Sequence, residues 1–158
     1  MKTTSTKLTL ALAIGLLAYL LPFNKASIQS SKPNTTMNSY ISIFEIPARD
    51  ITRAISFYEE VLNLKIEKFE MPGMEMGVLP YENQAVTGVI IKSEGYEPSA
   101  SGTTIYLNAG NDLQPILDRV TSKGGEVLVP KTAHADDSGY FALFLDSEGN
   151  KLGLHSTN

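Results

Sequence analysis

The feature that most constrains this fold is an order of predicted elements that occurs twice along the chain. The first copy opens with an apolar, β-branched run at residues 41–46, which predicts a buried strand, and Pro47 ends it. An amphipathic helix follows. Three further strands are then expected at residues 65–70, 74–79 and 86–92. The first half is therefore predicted to be one βαβββ module.

The helix of this first module has signals at both ends. Asp50 is a favourable N-cap, because its carboxylate can accept hydrogen bonds from the free N–H groups of the first turn. Asn63 can end the helix in the left-handed conformation. The apolar residues between them recur with the 3.6-residue period that predicts one buried face. They are Ile51, Ala54, Ile55, Tyr58, Val61 and Leu62.

The second copy repeats the same order. A strand at residues 103–108 precedes a helix that Asn111 or Asp112 is expected to cap. Pro115 falls in the first turn, where its missing N–H is tolerated, and Gly124 and Gly125 stop the helix. Three strands at 126–131, 140–146 and 151–155 complete the module, with a hairpin turn at 146–150. Two tandem βαβββ modules predict an α+β domain with a cup-shaped mixed sheet.

The N-terminal stretch differs from the rest of the chain. Lys2 and Lys7 precede an apolar run at residues 8–21, which Pro22 ends. Such a run spans roughly 21 Å as a helix, less than the roughly 30 Å of a bilayer core. We therefore expect residues 1–26 to be a signal peptide and the protein to be exported, periplasmic or secreted. The alternatives are a membrane-tethered helix and a cytoplasmic protein that starts at Met37.

Residues 27–39 are rich in Ser, Thr, Asn and Pro and predict a flexible linker before a domain at 40–158. Cleavage removes three lysines, so the count of 13 basic and 17 acidic residues becomes 10 and 17, a net charge near −7. Such an acidic domain is a poor partner for nucleic acid. The chain has no cysteine, which excludes disulfides and thiolate chemistry.

Two segments resemble the signatures of a known family. Residues 50–58, Asp-Ile-Thr-Arg-Ala-Ile-Ser-Phe-Tyr, resemble the first helix of vicinal-oxygen-chelate proteins, and residues 144–152 resemble the closing hairpin of that family. The resemblance covers residues 40–156 and is strongest to small proteins related to lactoylglutathione lyase. It implies the paired-module fold and a homodimer. Members include glyoxalase I, ring-opening dioxygenases, epimerases, fosfomycin resistance enzymes and bleomycin-binding proteins.

The resemblance also implies where a metal would bind, since metal-using members take His and Glu ligands from the first and last strands of each module. Counting seven residues back from Asp50 gives Ile43, and seven forward from Asp146 gives Gly153. The repeat carries these positions to Thr104 and Gly88. None is His, Glu or Asp, so we expect no metal at the usual positions. The cofactor, if there is one, stays unknown.

Because side chains alternate between the faces of a strand, residues two positions away should face the same cleft. Among them, Glu45 and His155 would make a workable acid-base pair. The alternatives are an ion-paired Glu45, a solvent-exposed His155 without function, and glycines that only bend the sheet. The expected ligand-binding residues of the cleft are Ile43, Gly88, Ile90, Thr104, Tyr106 and Gly153.

Two function classes follow from this cleft. The first is a glyoxalase-like lyase or isomerase that acts on a small carbonyl or hydroxy compound by proton transfer between Glu45 and His155. The alternative is a non-catalytic protein that binds and sequesters a small molecule, as bleomycin-resistance proteins do. His134 is expected on a solvated loop, where its acidic neighbours offer at most a weak cation site.

Overall fold

The computed structural model describes residues 39–158. The predicted signal peptide and nearly all of the predicted linker lie outside the described residues. Within the described part, no helix has the length and apolar character needed to cross a membrane.

The described domain consists of two βαβββ modules, as the repeat predicts. The first contains β1 (Ile43–Pro47), α1 (Ile51–Leu62), β2 (Glu67–Met71), β3 (Met74–Val78) and β4 (Thr87–Ser93). The second contains β5 (Tyr106–Asn108), α2 (Gln114–Ser122), β6 (Glu126–Ala133), β7 (Tyr140–Leu145) and β8 (Lys151–Ser156).

Each module forms one mixed four-stranded sheet, and the two strand orders are equivalent: β1-β4-β3-β2 and β5-β8-β7-β6. The first and last strands of each module pair in parallel, and the other pairs are antiparallel. The fold is therefore α+β. The main difference from the prediction is β5, which begins at Tyr106 and not at residue 103.

The helix ends show which capping predictions hold. Asp50 caps α1, with its side chain accepting from the Arg53 N–H, and Asn63 ends the helix at φ 53°. The capping prediction for α2 is wrong, because Leu113 occupies the N-cap position and makes no side-chain cap bond. Asp112 lies one residue before the N-cap, and its carboxylate accepts a hydrogen bond from the Gln114 N–H at 3.0 Å.

One hydrophobic core joins the modules. Phe57 of α1 stacks on Phe144 of β7, with ring centroids 6.4 Å apart. The core combines apolar side chains from both helices and both sheets, so neither module buries its apolar surface alone. Its buried members include Ile46, Ala54, Val61, Ile90, Leu107, Leu113, Val120, Ala142, Leu152 and Leu154.

Asp146, in the turn between β7 and β8, anchors a buried polar network that also joins the modules. Its carboxylate accepts hydrogen bonds from the Tyr58 hydroxyl at 2.7 Å and from the backbone N–H groups of Glu148 and Asn150. The Asn150 side-chain amide donates to Asp146 and to the Pro47 carbonyl at the end of β1. Burial raises the pKa of Tyr58 well above its usual value, and the charge of Asp146 adds to this.

Glu148 links the same turn to the start of α1. Its side chain is 1% exposed and accepts hydrogen bonds from the Arg49 and Asp50 N–H groups and from the Arg53 guanidinium at 2.7 Å. Burial alone would raise the pKa of Glu148, but these bonds and the charge of Arg53 outweigh it, and the pKa is lowered. The carboxylate therefore stays ionised and holds the helix start against the turn.

Candidate functional site

Each sheet has one face on the core and one face turned away from it, which we call the open face. In β1, Phe44 and Ile46 pack on the core, whereas Ile43 and Glu45 lie on the open face. Ile43 is 59% exposed. The predicted orientation of Ile43 and Glu45 is therefore consistent with the structure.

The predicted cleft positions of Gly88 and Ile90 are wrong. Gly88 is the register partner of Phe44, and Ile90 is the partner of Ile46 on the core face. Ile90 is fully buried in the hydrophobic core. A side chain at Gly88 would meet the Phe44 ring and Leu79, so this glycine makes room for the packing of these two side chains.

The physical reason is a register error of one residue in β4. Because side chains alternate with a period of two, a slip of one residue moves every side chain to the opposite face. The partner of Glu45 is Val89, which takes the place that the repeat assigned to Gly88. Valine, like glycine, has no side-chain donor atom for a metal. The prediction that this position lacks a metal ligand is therefore the same in either register.

In the second sheet the predicted register is correct between β5 and β8. Tyr106 is the register partner of Gly153, and Asn108 is the partner of His155. Leu107 and Leu154 face the core, which places Tyr106, Gly153 and His155 together on the open face. Thr104 precedes β5 and is half-buried.

The space above Gly153 is filled by Tyr106. Any side chain at position 153 would collide with the Cγ, Cδ1 and Cε1 atoms of the Tyr106 ring. The ring nevertheless remains 48% exposed. The missing side chain of Gly153 therefore leaves no empty ligand space. It lets an aromatic ring lie directly on the sheet, where its outer face is accessible.

A cavity of about 220 Å³ is lined by residues of β1, of β8 and of the segment that connects the two modules. Glu45 of β1 and Lys151 of β8 both line it, and Lys151 lies on the same strand face as Gly153. Glu45 lies beside Tyr96, and the resulting hydrogen bond and charge raise the pKa of that phenol. The cavity combines two carboxylates, Glu45 and Glu97, and one ammonium group, Lys151, with the hydroxyl groups of Ser99, Ser101 and Thr103.

His155 has a different neighbour from the one predicted. Its ring centroid lies 5.5 Å from that of His134, and the His134 ring lies 4.9 Å from Phe141. The direct pairing of Glu45 with His155 is not present among residues 39–158, although a role for each in proton transfer stays a prediction. His134 lies on a loop whose next four residues, 135–138, are exposed, as expected, although its own side chain is half-buried and its ring lies against Phe141.

Sequence reasoning missed Phe141, Tyr96 and Lys151. The signal for Phe141 was available, since Phe141, Leu143 and Leu145 alternate along β7 and pair with the open-face residues of β8. No pattern indicated Tyr96, because it belongs to the irregular connection between the modules.

The residues at the usual ligand positions of the family do not fit a metal ion. Ile43, Val89 and Gly153 have no side-chain donor, and Thr104 offers only a hydroxyl group. The Tyr106 ring also covers position 153. Within the described residues, no group of three or more His, Asp or Glu side chains could hold a metal ion.

Comparison with known proteins agrees with this fold. The profile of the Glyoxalase/Bleomycin resistance protein/Dioxygenase superfamily matches residues 40–154. The chain belongs to this superfamily. A "Glyoxylase-like domain-containing protein" from Didymella fabae is 31% identical over 122 residues, which cover 72% of this chain and 91% of the relative.

Solved structures of the superfamily are similar in fold at low identity. Glyoxalase I from Zea mays has a TM-score of 0.57 and 21% identity, over 73% of this chain and 45% of the maize protein. The chain thus spans less than half of that enzyme. TnmS3, an antibiotic binding protein from a Streptomyces species, has a TM-score of 0.59 and 21% identity, over 76% of this chain and 97% of its own length.

Proposed function

We propose that this superfamily member is a non-catalytic binding protein that sequesters a small organic ligand on its open face. The observation that carries this proposal is the Tyr106 ring, which lies over Gly153 and is 48% exposed. An accessible aromatic ring on a rigid strand offers a stacking surface for an aromatic or apolar ligand group. The Tyr106 ring covers Gly153, where the family resemblance implies a metal ligand in metal-using members.

The polar part of the ligand is assigned to the cavity between the modules. Glu45 and Lys151 offer opposite charges there, and Lys151 continues the strand face on which Tyr106 and Gly153 lie. A ligand with an aromatic ring and separate cationic and anionic or hydrogen-bonding groups would match this pattern. The similarity in fold to an antibiotic binding protein, over 97% of the length of that protein, supports the same proposal of ligand binding.

Titration calorimetry with a panel of aromatic antibiotics, bleomycin first, tests this proposal. We expect binding without turnover, and we expect Tyr106→Ala to weaken it about tenfold or more, as loss of a buried aromatic anchor does. Tyr81→Ala is the matched control, because Tyr81 is similarly exposed, at 56%, but lies in the loop between β3 and β4. Equal losses in both variants, or no binding by any member of the panel, would contradict the proposal.

The second candidate is a glyoxalase-like lyase or isomerase. Glu45 on the cavity wall and His155 on the same strand face as Gly153 favour it, because a bound substrate could lie between them. His155→Gln should then lower kcat about 10²-fold to 10⁴-fold with little change in KM. The assay uses small 2-oxoaldehydes with and without glutathione. If the wild-type protein turns over none of them, this candidate loses its support.

We also propose that the protein is exported and forms a homodimer. The basic residues and apolar run of residues 1–26 support export, and the shared superfamily supports dimerisation. N-terminal sequencing should find a mature chain that begins near Ser27, and a start at Met1 or Met37 would contradict export. Sedimentation should give twice the mass of one chain.

A further inference from the structure

The chain contains only two histidines, and the fold brings them together. His134 directly follows β6, and His155 lies in β8. Their ring centroids are 5.5 Å apart, with 46° between the ring planes. Both side chains are half-buried, so they are held by the surface yet accessible to solvent. All imidazole nitrogen atoms of the protein are therefore concentrated at one place on the open face.

Backbone hydrogen bonds fix the main-chain positions of both histidines. The His134 N–H donates to the Gly139 carbonyl at 2.9 Å, and the His134 carbonyl accepts from the Asp137 N–H at 3.2 Å. His155 lies within a strand, paired with Phe141 on one side and Asn108 on the other. The Phe141 ring supports the His134 ring at 4.9 Å between centroids. Such support keeps two donor groups near one geometry, which lowers the cost of binding.

The loop that carries His134 is also packed tightly on β8. Gly139 has a φ of 120°, and a side chain there would collide with the Ser156 carbonyl, the neighbour of His155. The loop can approach this closely only because residue 139 is glycine. The separation between the two histidines is therefore set by a direct backbone contact between loop and strand.

The ring separation suits one shared metal ion. A metal–nitrogen distance of roughly 2.0–2.1 Å puts each ring centroid roughly 3.2 Å from the ion, so two rings at an angle of roughly 90–120° have centroids roughly 4.5–5.5 Å apart. The observed 5.5 Å lies at the upper end of that range.

We propose that His134 and His155 form a two-imidazole site for a borderline divalent transition-metal ion, with water completing the coordination. Imidazole suits Cu²⁺, Ni²⁺ and Zn²⁺, and the general order of stability makes Cu²⁺ the tightest of the three. The site differs from the ligand positions that the family resemblance implies, which are occupied here by Ile43, Val89, Thr104 and Gly153. It does not depend on the proposed binding of an organic ligand at Tyr106.

Titration of the full-length protein, without an affinity tag and after treatment with a chelator, tests the site. Calorimetry with Cu²⁺, Ni²⁺ and Zn²⁺ should find one ion per chain, with Cu²⁺ bound most tightly. His134→Gln and His155→Gln should each weaken binding about 100-fold or more, since even the loss of a residue that only supports a ligand costs 10-fold to 100-fold.

Asp137→Asn is the control for the loop carboxylates, because it removes a neighbouring charge and keeps both imidazoles. It should retain most of the wild-type affinity. With Cu²⁺, electron paramagnetic resonance should show coupling to two nitrogen nuclei in the wild type and to one in each single variant. Binding that survives the loss of both histidines, or that depends on Asp137 and on neither histidine, would overturn the proposal. So would the absence of binding in a folded wild-type protein.

Discussion

The turn at residues 146–150 and the strand β8 that follows it are adjacent in the chain but differ in what they keep from the superfamily. In the turn, Asp146, Glu148 and Asn150 each make hydrogen bonds that join the two modules. Three residues beyond Asn150, Gly153 stands where the family resemblance implies a metal ligand, and it has no donor side chain. The turn therefore joins the family signature to the buried contacts of the fold, whereas position 153 has no donor side chain.

The difference has an energetic basis. A buried carboxylate such as Asp146, which is 3% exposed, is costly to leave without partners, so its neighbours are tightly constrained. An exposed face carries no such constraint, because surface substitutions away from buried networks usually change stability little. Family resemblance is therefore a firmer guide to the turn than to the chemistry of the open face.

The largest expected effect belongs to the turn. Asp146→Ala leaves the Tyr58 hydroxyl and the Asn150 amide without their buried acceptor. We expect the free energy of unfolding to fall by about 3–5 kcal/mol, as it does when one member of a buried charged network is removed. Urea denaturation measures this. Asp118→Ala, on the exposed face of α2, should cost less than about 0.5 kcal/mol, and similar losses in both variants would remove the distinction.

A smaller effect is expected on the open face. Gly153→Glu places a carboxylate at the superfamily's ligand position, but the side chain must displace the Tyr106 ring. This should cost about 1–3 kcal/mol, as overpacking typically does. Tyr106→Ala in the same chain should restore most of that loss, so the two substitutions should be strongly non-additive in a double-mutant cycle. Additive effects would show that Tyr106 does not occupy this position.

The smallest effect concerns the pH dependence of the turn. Because the folded-state pKa of Glu148 lies below its ordinary value of 4.5, this residue stabilises the fold above about pH 4.5. That contribution is lost as the pH falls through the folded-state pKa. Glu148→Gln should therefore be less stable than the wild type at pH 7, with the difference narrowing towards pH 3. A difference that stays constant with pH would contradict the assigned charge state.

The sequence predicted the fold well because its strongest signals are local. The caps of α1, Asp50 and Asn63, act within one helical turn, and the strand periodicity identified every strand. The site was harder to predict. A register error of one residue in β4 put Gly88 and Ile90 on the wrong face of the predicted sheet. Register is hard to predict because it depends on contacts between strands that are distant in sequence.

The neighbours of the candidate site residues could not be predicted from the sequence, for the same reason. The contact between His134 and His155 depends on how the loop at 134–139 packs on β8, and the contact between Glu45 and Tyr96 depends on an irregular connection. By contrast, the lack of donor side chains at Ile43 and Gly153 could be inferred, because it needed only the spacing from two recognisable motifs.

The proposed function requires that an organic ligand binds at Tyr106 without a metal ion at the positions that the family resemblance implies. The most direct measurement is nuclear magnetic resonance of the tyrosine ring signals while an aromatic antibiotic is added in the presence of a chelator. We expect the ring signals of Tyr106 to shift when the antibiotic is added and those of Tyr81 to stay unchanged. The shifts should be the same with and without the chelator. Ligand-induced shifts that vanish when metal is removed, or that leave Tyr106 unchanged, would contradict it.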